Sequence, residues 1–76
     1  MMFKIYEAAQ GDTIYRIEED YPEVGAYLYV IKNSICINDY LQNDVESCKS
    51  FALEKYGISM KNWNLILNRN SSNSNM

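Results

Sequence analysis

The sequence predicts a small α+β domain, an antiparallel meander of three or four strands followed by one packed helix and a short C-terminal segment. Two patterns carry this. Short apolar and aromatic runs alternate with period two between turn signals, and one later stretch changes to helical spacing between a capping residue and a glycine. Length sets the scale, because a chain of 76 residues buries only about 60% of its unfolded surface and supports one core. The 47% hydrophobic content, with seven tyrosines among its aromatics, exceeds that of a disordered chain of similar charge. We therefore expect one domain over residues 1–67 and a disordered Asn- and Ser-rich tail over 68–76.

The first strand is read over 2–9, where Phe3 and Ile5 alternate with Lys4 and Tyr6 before the turn signal "QGD". "TIYRIE" at 13–18 continues in the same style and closes a hairpin. The stretch "EEDYPEVG" at 18–25 then interrupts the sheet, since Pro22 has no N–H for a ladder and Gly25 relaxes the backbone. "AYLYVIK" at 26–32 is the most strand-like segment. Its alternation places Tyr27, Tyr29 and Ile31 on one face and Leu28 and Val30 on the other, as expected of a central strand. "NS" at 33–34 offers a two-residue turn, and "ICIN" returns as strand four.

Asn43, three residues before Glu46, is the expected N-cap of the helix, and Gly57 its stop. Between them Val45, Cys48, Ala52 and Tyr56, with Phe51 beside them, form an apolar stripe that Leu41 extends backward as a staple. After Gly57, "ISMKNWNLIL" is too apolar for a free tail and is read as an irregular or strand-like segment capping the core.

Composition removes several function classes. The chain contains no histidine, the usual general base near neutral pH, the usual partner of a nucleophilic Ser or Cys, and the commonest zinc ligand. Cys36 and Cys48 alone cannot complete a tetrahedral zinc site, and both are expected to be reduced and buried, Cys48 on the helix stripe with an inert thiol. The glycines at 11, 25 and 57 lie too far apart for a phosphate cradle. No cofactor is expected. Seven basic residues are scattered singly in a chain of net charge −3, so nucleic-acid binding is disfavoured. No signal peptide or run of about 20 apolar residues is legible, which gives a cytoplasmic expectation with no membrane contact.

Two features remain. "EEDYPEVG" does not match a calcium loop, which alternates oxygen ligands around a central glycine and closes on glutamate, so no metal is assigned to it. A paired-carboxylate enzyme drawing on Glu18, Glu19, Asp20 or Glu23 with Asp39 or Asp44 would need desolvation that a surface turn hardly supplies. Tyr27 and Tyr29 project together from the central strand, and Tyr15 on strand two has the parity to join them if the register allows. Tyrosines on a rigid sheet make good interface anchors, and an acidic loop beside them suits a partner rich in Arg and Lys. The opposite reading packs the same tyrosines beneath the helix or the "WNLIL" segment, with only their hydroxyls exposed.

The run "DYPEVGAYLYV", then "INDYLQNDVESCKSFALEKYGI" and a later tryptophan, resembles a family of small, largely uncharacterised bacterial proteins. Its members share a Tyr-Pro-Glu-Val-Gly turn, an aromatic strand, an Asp-Tyr-Leu-Gln lead-in to a helix and a Tyr-Gly exit. The resemblance implies a β-meander followed by a helix and brings no activity. In size and style the chain is also similar to bacterial immunity proteins, which bind and silence a toxin. The function expected is thus a non-catalytic interaction module using Tyr15, Glu18, Glu19, Glu23, Tyr27 and Tyr29, toward a basic protein or a second copy of itself. The alternative is a small-molecule site between helix and sheet near Tyr6, Tyr40 and Trp63.

Overall fold

The structure, a computed structural model, describes residues 2–70. Five strands and one helix follow in the order β1 (Met2–Gln10), β2 (Thr13–Glu19), β3 (Ala26–Lys32), β4 (Ile35–Gln42), α1 (Val45–Tyr56) and β5 (Asn64–Asn70). They build one five-stranded sheet in the order β4-β3-β2-β1-β5, every neighbouring pair antiparallel. The α+β meander with its helix is as expected, with five strands where three or four were anticipated.

The two hairpin turns differ in chemistry. Gly11 takes φ 62° between β1 and β2, whereas Asn33 and Ser34 take φ 53° and 65° between β3 and β4. Positive φ at both central residues is the two-residue turn whose twist matches the flanking strands, and here it forms without glycine.

Three boundaries move. β4 runs on through Asp39–Gln42, so Leu41 is a strand residue and not a helix staple. The N-cap is Asp44, not Asn43: its Oδ1 accepts the Ser47 N–H at 2.8 Å, satisfying a donor that the first helical turn leaves unpaired. Gly57 ends α1 at φ 73° in the left-handed conformation that lacks a Cβ penalty there. Finally β5 pairs with β1 from Glu7↔Asn64 to Met2↔Asn70, so the backbone of 68–70, expected as tail, completes a ladder. The rest of that tail lies outside the described residues.

The helix covers one face of the sheet, packing on β2, β3 and β4. Ala8, Tyr15, Ile17, Ala26, Leu28 and Val30 meet Cys48 and Ala52 from α1 and Ile58 from the segment after it in one buried cluster. Ile17, Leu28, Ile58 and Cys48 are its largest fully enclosed side chains, each worth about 1.5–3 kcal/mol of apolar burial for the aliphatics. The Cys48 thiol donates to the Ala26 carbonyl at 3.4 Å, tying helix to sheet. Tyr40 and Tyr56 share a hydroxyl–hydroxyl hydrogen bond of 2.7 Å, closing the same layer at its rim.

Candidate functional site: the helix-free face of the sheet

Register determines which side chains the second face carries. Glu18 stands opposite Tyr27 and Arg16 opposite Tyr29; Tyr27 faces Leu41 and Tyr29 faces Asp39; Ile5 faces Glu18 and Glu7 faces Arg16. Two rows result. One reads Leu41, Tyr27, Glu18, Ile5 and Leu67, the next Asp39, Tyr29, Arg16 and Glu7. Beyond them Ile31 lies between Cys36 and Ile14.

Tyr27 and Tyr29 stack with ring centroids 6.0 Å apart and planes 17° from parallel. They are half-buried, held by each other and by the strand. Burial, followed by the nearby Glu18 carboxylate, pushes the Tyr29 hydroxyl above its ordinary value, so it stays a neutral donor. The middle row is an ion-pair network: Arg16 Nε–H donates to Glu7 Oε2 at 2.7 Å, and the same guanidinium lies 3.8 Å from Glu18. Glu7, Glu18 and Asp39 against Arg16 leave this face acidic among its described side chains.

Phe3 and Ile5 also belong to this face, yet they are only 6% and 7% exposed. The loop explains the first, since Tyr21 sets its ring edge-on to Phe3 at 5.0 Å. Backbone bonds from Asp20 N–H to Gly25 O (2.9 Å) and Gly25 N–H to Tyr21 O (2.9 Å) make 20–25 a closed turn. Pro22 and Glu23 lie exposed on it.

The anticipated site residues are thus partly brought together and partly separated. Tyr27, Tyr29 and Glu18 share the open face. Tyr15 does not: it pairs with Val30 and Ala8, faces the helix, is 5% exposed and packs on Tyr56 at 5.1 Å. Glu18 and Glu19 are strand residues rather than loop residues, so their side chains diverge. Glu19 Oε1 accepts the Lys4 N–H at 3.1 Å and borders a hollow with Asp20, Pro22, Gly25, Asn43 and Asp44. Glu23 stays on the loop.

Cys36 also departs from expectation, being exposed where burial was anticipated, while Cys48 is buried and both are free thiols. Burial pushes the Cys48 thiol up to about 11, which removes it from nucleophilic chemistry at neutral pH. Tyr6, Tyr40 and Trp63, the proposed walls of a ligand pocket, are packed against the core cluster. A second surface hollow runs along the α1 side of β4, bordered by Gln42, Asp44, Ser50, Phe51 and Glu54. A third lies on the open face between Asp12, Ile14, Arg16, Ile31, Asn33 and Ser34. None of these is walled by that trio.

Among the described residues no group of His, Cys, Asp or Glu gathers in a metal-holding arrangement, and no helix is long and apolar enough to cross a membrane. Compared with models of known protein families, with curated proteins and with solved structures, the chain has no match.

Proposed function

We propose that the chain is a non-catalytic protein-interaction module whose helix-free sheet face docks a partner rich in Arg and Lys, in the manner of an immunity protein occupying a toxin. The observation that carries this reading is the stacked Tyr27–Tyr29 pair on a face that holds, among its described side chains, three carboxylates and one guanidinium. The rings supply contact area at the expense of few torsions, and their hydroxyls tolerate water when the face is free. Glu18 and Asp39 flank the pair on neighbouring strands and select the sign of the partner. Glu23, on the loop whose Tyr21 reaches this face, extends the acidic rim.

The test is capture of partners from host lysate by the chain, followed by titration of the purified partner against Tyr27→Ala/Tyr29→Ala and against Glu18→Lys/Glu23→Lys. The reading expects a basic protein whose affinity falls at least tenfold in each variant and declines with salt, as exposed charge pairs are screened. Equal affinity for all three chains, each shown to be folded, would overturn it.

A further inference from the structure

Among the described residues no strand pairs with the outer edge of β4, and this edge carries an inference independent of what the tyrosine face binds. An edge strand presents unpaired N–H and C=O groups, and natural edges are blunted by lysine, proline, shortness or bulges. β4 is eight residues long, has no proline, lysine or arginine, and carries Asp39 as its only charge. Ile35, Ile37 and Leu41 on it are 64%, 52% and 54% exposed. Its single blunting device is a bulge, where Val30 pairs with Asn38 and Ile31 with Cys36, leaving Ile37 unpaired. The bulge spares the regular segment from Asn38 to Gln42.

We propose that this segment pairs antiparallel with the same segment of a second copy of the chain, across a twofold axis normal to the sheet. Such an axis keeps the two tyrosine faces on one side, so residues that meet must share a face. The register with Tyr40 opposite Tyr40 of the second copy meets this condition: Asn38 then faces Gln42, and Asp39 faces Leu41. The register one step away sets Asp39 against Asp39, and like charges directly opposite are destabilising. One step the other way, Leu41 against Leu41, only Tyr40 to Gln42 stay paired within the segment, so the Tyr40-centred register is the one that pairs all five of its residues. An isologous pair closes after two copies, whereas β4 joined to the opposite edge, β5, would grow without end. The doubled sheet would carry both Tyr27–Tyr29 pairs on one surface, with Leu41 of each copy at the seam.

Charge opposes the pairing. Each copy carries −3, and the hollow beside β4 on the helix side holds Glu46 and Glu54. Added salt must then strengthen self-association while it weakens docking of a basic partner, so the two proposals fail separately.

The experiment is sedimentation equilibrium of the whole chain under reducing conditions, which exclude a Cys36 disulfide, at low and high salt. Wild type is expected to reach twice its 8.9 kDa mass at high concentration, more readily in salt. Leu41→Glu sets a carboxylate against Asp39 of the second copy and should weaken the dimer at least tenfold. Leu41→Lys sets an ammonium there and should hold or tighten it, by up to about fivefold. Leu41 is exposed, so both variants should keep the native circular dichroism and melting transition. A wild type monomeric at every concentration, Leu41→Glu and Leu41→Lys variants that dimerise alike, or masses climbing past two copies would each overturn the proposal.

Discussion

Gly25 sits so close to Gln42 that a Cβ built on it would lie 2.0 Å from the Gln42 carbonyl oxygen. Its φ of 113° is in addition a conformation that L side chains rarely adopt. Gly25→Ala therefore forces apart the loop that leads into β3 and the end of β4. A loss of about 3 kcal/mol in urea unfolding is expected, combining backbone strain with overpacking.

The two cysteines should separate cleanly by reactivity. Cys36 is exposed and Cys48 enclosed, with a thiol held protonated to about pH 11 by burial and the nearby Asp44. A thiol-specific chromogenic reagent at pH 8 should titrate one equivalent in the native chain and a second only in denaturant. Two rapid equivalents would contradict the enclosure of α1 against β3.

Stability should fall in alkali. Burial, with the hydrogen bond that its own O–H donates to Tyr40, raises the Tyr56 hydroxyl from 10.0 to about 12, and Cys48 rises from 9.0 to about 11. Both folded values lie above the unfolded ones, so the native state holds more protons in this window. Their stabilisation is complete below pH 9 and is lost as pH climbs through 11 and 12. The urea midpoint should decline from about pH 9 upward, and less steeply in Tyr56→Phe.

The helix cap has the opposite dependence. The Ser47 N–H holds the Asp44 carboxyl below its usual value, so the cap's contribution is present above the unfolded value near pH 4 and fades as pH falls through the folded one. Asp44→Ala should lower the urea midpoint at pH 7, with the gap to wild type narrowing in acid. Asp44→Asn, which keeps an accepting oxygen at the cap, should lose less.

The residues show why some of this was legible and some was not. Tyr27 and Tyr29 share a face because they are two apart in one strand, which any register preserves. Glu7 against Arg16 is set by a two-residue turn at Gly11 and Asp12, one residue shorter than the "QGD" turn that the sequence suggests, so that pairing was not legible. Tyr15 depended on the longer loop at 20–25, where a slip of one residue moves a strand's side chains to the other face. The bulge at Ile37 likewise has no signature in "IKNSICIN". β5 was obscured by its asparagines, poor strand formers that pairing with β1 nonetheless recruits, and "DYLQ" was misread because Leu41 happens to continue the helical stripe.

The central claim, that Tyr27 and Tyr29 form a docking face while Tyr15 belongs to the core, is tested most directly by urea unfolding of Tyr15→Ala beside Tyr29→Ala. Removing the enclosed Tyr15 ring should cost about 3–5 kcal/mol, as for other large aromatics in a core. Removing Tyr29, which loses its stack on Tyr27 two residues along the same strand, should cost about 1 kcal/mol. Equal and large losses would place Tyr29 in the core and leave the helix-free face without its anchor.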